Sequence, residues 1–254
     1  MKYFALPISE QFIYRLSLKF TFREGFKIFM IKKILNSDVI AYSGEAFLFG
    51  YGKQFWKEKT QYIFNVIKDN NIISAFTSTM TAILLLTILT YFGQVNFLEF
   101  LTINTGTMIG IGVFAIVVIG AGLFFRKRII SFDTPTTLKI FGIHQSRILL
   151  VYTLDVLQCI VALPLIPYDI WFTFLAIQII YTRIPFLPSQ DILLLGVYAK
   201  ITEIYDFPQA EIMAVYLMIA ALTKLLNLGF YSFFALNKMN LKQEEEKPTF
   251  NTQE

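Results

Sequence analysis

Long apolar runs separated by short polar stretches dominate this chain, and run length decides how to read it. Ile72 to Phe92 and Met108 to Phe125 contain 21 and 18 residues without one charged side chain. At a rise of about 1.5 Å per residue, roughly 20 residues cross the hydrocarbon core of a bilayer. Three further apolar stretches follow: Ile148 to Ile166 with Asp155 inside it, the short Ile170 to Ile184 ending beside Arg183, and Ile212 to Leu236 with Lys224 inside it. Between the last two lies Ile184 to Lys200, IPFLPSQDILLLGVYAK. Pro185 and Pro188 break the backbone, Ser189 to Asp191 offer a helix-capping signal, and only eight apolar or small residues precede Lys200. Such a discontinuous segment is tolerated at membrane depth only where protein or a water-filled cavity satisfies its free polar groups.

Loop charge orders these segments. Gln94 to Thr107, Pro167 to Asp169 and Tyr205 to Glu211 carry no Lys or Arg, whereas Lys53 to Asn71, Arg126 to Arg147 and the segment after Leu236 are basic. The positive-inside rule then predicts an all-α, polytopic membrane helix bundle of about six passes with short interrupted or re-entrant segments. Both termini are predicted to be cytoplasmic, and the fifth pass, Pro185 to Ile204, is predicted to be broken near Pro188.

The polar positions divide the chain further. Arg15, Lys19, Arg23 and Lys27 recur every four residues among Phe12, Leu16, Phe20, Phe26, Phe29 and Met30, which predicts one basic amphipathic helix over Phe12 to Lys33, lying in the membrane interface. Residues 1–35 are therefore read as an interfacial segment, 36–240 as the transmembrane domain, and 241–254 as a disordered polar tail. Asn36 to Gly52 is a second short apolar stretch with a cap signal at Ser37 and Asp38 and with Glu45 in its middle. It matches Leu187 to Gly196 over a few positions, the pattern of a repeated interrupted element in transporters. Lys53 to Asn71 and Ile129 to Arg147 are expected to be cytoplasmic connections.

Composition agrees with the membrane class: 56% of the residues are hydrophobic and the mean hydropathy is +0.58. The opening MKYFALPISEQF lacks the apolar core of a signal peptide. A net charge of +4 points, in a membrane chain, to anionic lipid headgroups rather than nucleic acid. Cys159 lies alone in an apolar run and reads as a packing residue. His144, the single histidine, has no second metal ligand near it and reads as an interfacial polar residue. Phosphate-cradling loops, zinc-ligand pairs and nucleophile elbows are all missing from the sequence, so no catalytic residue, metal or cofactor is assigned.

Charges inside the spans carry the functional reading. Each costs about 2.5–3.5 kcal/mol at the centre of a helix unless it is paired or solvated. Lys200 and Glu203, three apart, can satisfy each other. Asp155 and Lys224 have no local partner and are candidates to pair across helices or to line a polar route with Arg183 and Asp191.

The segments Ser43-Gly44-Glu45 and Ile184-Pro185-Phe186-Leu187-Pro188, with a broken helix and a polar last helix after them, resemble the lysylphosphatidylglycerol synthase transmembrane region, a flippase-like domain. The resemblance covers about Asn36 to Phe234, and no synthase domain accompanies it. Ser189-Gln190 stands where that family has a glycine pair. The resemblance implies a multi-pass bacterial inner-membrane protein that translocates an anionic, amino-acylated or glycosylated lipid headgroup, with a membrane-associated synthase or glycosyltransferase as a possible partner. Glu45, Asp155, Arg183, Pro188, Ser189, Asp191 and Lys224 are the candidate substrate-binding residues. The alternative is a transport-inactive scaffold for a lipid- or glycan-modifying enzyme.

Overall fold

The computed structural model describes residues 2–91, 120, 129–182, 190–204 and 208–245, and these form eight helices. In order they are α1 Lys2–Tyr14, α2 Phe22–Asp38, α3 Ser43–Phe55, α4 Thr60–Tyr91, α5 Thr134–Ala162, α6 Tyr168–Tyr181, α7 Gln190–Ile204 and α8 Gln209–Glu245. The predicted span Met108 to Phe125 lies outside the described residues.

Three of these helices are long and apolar enough to cross a membrane: Thr60–Leu89, Thr134–Ala162 and Gln209–Phe234. α6 is a shorter apolar helix. On α8, Leu217, Leu222, Leu225, Leu228 and Phe233 are all exposed. A band of large apolar side chains along a whole helix would be unstable in water and is what a lipid-facing surface requires. The chain is an all-helical membrane bundle.

The amino-terminal third departs from the predicted single amphipathic helix. The chain leaves helical geometry after Tyr14 and re-enters it at Phe22. Thr21 takes extended backbone angles, and its Oγ1 accepts from the Glu24 amide at 3.2 Å. Thr21-x-x-Glu24 is a capping-box spacing, a start signal that the four-residue cation stripe conceals. Arg15, Lys19 and Arg23 do remain exposed, so the basic surface exists but is divided over two helices. Some apolar positions of this stretch are core, with Ile13, Tyr14, Leu18, Ile28 and Phe29 packing with Leu48 of α3 and with Ile63, Val66 and Ile67 of α4, whereas Phe12 and Leu16 are exposed.

Two expected connections are helical. Thr60 to Asn71 opens α4, and Thr134 to Arg147 opens α5. Their polar residues are held by tertiary partners: Asp69 Oδ2 accepts from the Ser131 amide at 2.6 Å, and Thr81 Oγ1 donates to Gln145 Oε1 at 2.8 Å. His144 is fully buried rather than interfacial, with its Nε2 2.9 Å from Asn70 Oδ1. α8 continues to Glu245, into the segment 241–254 read as a tail, and the rest of that segment lies outside the described residues.

A second core lies among α5 to α8, with Cys159, Trp171, Phe174, Tyr198 and Ile212 buried together. Cys159 is a packing residue, as its sequence context indicates. α7 packs on α8 and α6, whereas α3 packs on α2 and α4. The two short segments thus belong to different halves of the bundle.

Candidate functional site

The intramembrane charges resolve into separate clusters, each built by a different set of helices. Asp155, in the second half of α5, meets Lys2 Nζ, brought from the first turn of α1. Around this pair is a cavity of about 100 Å³, lined also by Cys159 of α5, Trp171 and Gln178 of α6, Tyr198 of α7, and Tyr216 and Thr223 of α8. Asp155 Oδ2 and Trp171 Nε1 are buried there without a hydrogen-bond partner. A carboxylate oxygen and an indole N–H left unsatisfied beside an open volume make a place where a polar group can enter.

Lys224 does not pair with Asp155. Its Nζ binds Asp38 Oδ1 at the end of α2, and Asn227, one turn on, donates to Asp38 Oδ2 at 2.8 Å. Asn227 Oδ1 accepts in turn from Tyr3 Oη at 2.7 Å and Lys33 Nζ at 3.4 Å. Of the two alternatives left open by the sequence, pairing across helices is what both residues do, but with partners from α1 and α2 rather than with each other. This network fastens α8 to α1 and α2. Burial alone would raise the Asp38 carboxyl, but bonds from Lys224 and Asn227 hold it below its ordinary 3.8. A depressed carboxyl contributes stability that is present above its unfolded value and is lost as pH falls through the folded one. Lys224→Met should therefore flatten the acid limb of a thermal-denaturation series as pH falls below the ordinary carboxylate range. At neutral pH, an ion pair this open should cost less than about 1 kcal/mol when broken.

Glu45 lies in a third cluster. Lys32 of α2, 3% exposed, binds Glu10 of α1 and stands 3.1 Å from Glu45 Oε1 of α3. Its ammonium lies 5.9 Å from the centre of the Tyr14 ring. Glu45 is therefore committed to an internal cation rather than open to a substrate amine. One oxygen of each carboxylate, Glu10 Oε2 and Glu45 Oε2, is buried without a hydrogen bond. Sequence pattern assigns Lys32 and Glu10 no role, since each looks like an ordinary member of a polar helix face.

Lys200 and Glu203 form the expected local pair at 2.9 Å, and both are exposed. Asp191 stands in the first turn of α7. Arg183, Pro188 and Ser189 lie outside the described residues. Of the seven predicted site residues, the described part of the structure places only Asp155 against a cavity.

Comparisons of the chain with protein-family models, curated proteins and solved structures give no match. The class that fold and site define is therefore an all-helical integral membrane protein with a small, charged cavity between its helices.

Proposed function

We propose that the protein binds and translocates a lipid headgroup, as a divergent relative of the lysylphosphatidylglycerol synthase transmembrane region, from the bacterial inner membrane with six passes and both termini cytoplasmic. The observation that carries this reading is Asp155, a partly buried carboxylate paired with Lys2 beside Gln178 at a cavity wall, with its second oxygen buried. An intramembrane carboxylate is costly unless a cation attends it. Lys2, 35% exposed along its side chain, supplies that cation and can withdraw toward solvent. A substrate ammonium, such as that of an amino-acylated lipid, would replace one positive charge with another, so the exchange leaves the charge balance of the site unchanged. Gln178, Tyr216 and Thr223 line the same cavity and suit the ester and hydroxyl groups of a headgroup. At about 100 Å³ the closed cavity has space for about three waters. Helices α6 to α8 must then part to admit a headgroup, as alternating access requires.

Proteoliposomes carrying fluorescent lysyl-phosphatidylglycerol on one leaflet test this reading. Exchange between leaflets should accelerate with the protein present, and Asp155→Asn should remove the acceleration while leaving the thermal midpoint within a few degrees. Equal exchange with and without protein, over amino-acylated and anionic lipids, would sink the proposal. The internal pairing of Lys224 favours the second reading, a transport-inactive scaffold for a lipid- or glycan-modifying enzyme. That reading predicts no exchange at all and a normal fold for the Asp155→Asn protein.

A further inference from the structure

Helices α1 and α5 do not close on each other along their whole length. They run antiparallel, since Lys2 at the start of α1 meets Asp155 late in α5, while Ile13 and Tyr14 at the end of α1 share a core with Ile140 early in α5. Between them opens a groove of about 1000 Å³, at the upper end of the roughly 300–1,000 Å³ typical of small-molecule sites. One wall is the α1 face with Phe4, Ala5, Ile8, Ser9 and Phe12. The other is the α5 face with Lys139, Gly142, Ser146, Arg147, Leu150 and Leu154. From Lys139 to Leu154 that wall extends about 22 Å at helical rise.

Chemistry divides the groove along its length. The end bounded by Phe4, Ala5, Leu150 and Leu154 is apolar throughout. The other half carries Lys139, Ser146 and Arg147, and the groove lining has two cations and no carboxylate. Gly142 sits on the same face between the cations, and a Cβ added there would meet nothing within 4 Å. Open space thus lies between the two positive charges.

We infer that this groove is a binding site for an anionic phospholipid, distinct from the Asp155 cavity, with the phosphate between Lys139 and Arg147 and one acyl chain laid along the apolar end. A zwitterionic lipid fits the apolar half equally well but brings its own cation to the basic half. Selectivity therefore comes from the two cations, and occupancy from the groove.

Native mass spectrometry of the full chain, purified in detergent and offered equal amounts of phosphatidylglycerol and phosphatidylcholine with identical chains, reads this directly. The unmodified protein should retain phosphatidylglycerol at least about fivefold over phosphatidylcholine, the factor that attraction of one cation to an anionic lipid supplies. Gly142→Phe, whose Cβ meets nothing within 4 Å, places a ring in the open space and should lose most of the retained lipid. Lys139→Gln, a change at an exposed position, should lower the preference several-fold and keep phosphatidylcholine retention unchanged. Equal retention of the two lipids by the unmodified protein would overturn the site. So would an unaltered preference in Gly142→Phe, or a change in its oligomeric state alone, which would give the groove to a second copy of the chain. If Gly142→Phe fails to fold, Lys139→Gln decides on its own. Asp155→Asn should leave lipid retention intact, so loss of exchange and loss of retention separate the two sites.

Discussion

Lys32→Met is expected to lower stability by about 3–5 kcal/mol, the usual cost of removing one partner from a buried ion pair. The measurement is thermal unfolding in detergent followed by circular dichroism. Methionine keeps the length and most of the volume of the lysine stem, so packing around the stem is little changed and the effect isolates the charge. Without the ammonium, Glu10 and Glu45 are left in a water-poor space with no cation between them, and each already has one oxygen without a hydrogen bond. Replacing the whole set with neutral groups, Glu10→Gln with Lys32→Met and Glu45→Gln, should recover most of the loss, because neutral substitutes for a buried charge cluster are often nearly as stable as the ions. A single Lys32→Met protein within about 1 kcal/mol of the parent would show that solvent reaches the carboxylates.

The same cluster predicts an alkaline signature. Burial pulls the Lys32 ammonium down, but Glu10, Tyr14 and Glu45 together lift it above its ordinary 10.5. A raised lysine contributes stability that is fully present below the unfolded value and is lost as pH rises through the folded one. The loss should therefore begin above about pH 10 and be reduced in the Lys32→Met protein. Tyr14, raised chiefly by burial, resists ionisation in the folded state and destabilises in the same alkaline direction. The part of the slope that survives Lys32→Met belongs to the tyrosines that burial raises, Tyr14 together with Tyr3 and Tyr51.

The membrane class is legible in the sequence because it depends on local properties: run length, absence of charge and the basic flanks of the spans. Helix limits are less legible, for a reason visible at Asp69, Asn70 and His144. Each is polar and each is buried, hydrogen-bonded to a partner about 60 to 75 positions away. Pattern alone assigns such residues to solvent, so it begins α4 at Ile72 and α5 at Ile148, about three turns late in the first case and about four in the second. Charge partners are no more legible: Asp155 and Lys224 have no local partner in the sequence, and theirs come from Lys2, inside the segment read as interfacial, and from Asp38, read only as a cap signal. Thr21-x-x-Glu24 is the local signal that separates α1 from α2. Nothing local places Glu10 beside Lys32.

Gly44→Ala should be the most damaging added methyl among the described glycines. Where α3 crosses α2, a Cβ on Gly44 would stand 2.3 Å from the Lys32 carbonyl oxygen and 2.8 Å from Asn36 Oδ1. The Gly44 amide donates to Asn36 Oδ1 at 2.7 Å, and Ser43 Oγ donates to the Leu35 carbonyl at 2.8 Å. The first obstacle is backbone, which cannot rotate away, so the helices must separate. Overpacking of a core costs about 1–3 kcal/mol and more where the backbone has to move, so Gly44→Ala should exceed about 3 kcal/mol. Separation would also carry Glu45 away from Lys32, adding part of the ion-cluster loss, so Gly44→Ala and Lys32→Met should be less than additive. Gly50, on the same helix, would have nothing within 4 Å of an added Cβ, and Gly50→Ala should instead stabilise by about 0.5–1 kcal/mol through helix propensity. Opposite signs for one substitution at two glycines of α3 would establish that Gly44 is there for close approach of helices rather than for flexibility. A Gly44→Ala protein that melts with the parent would mean that α3 does not cross α2 at this point.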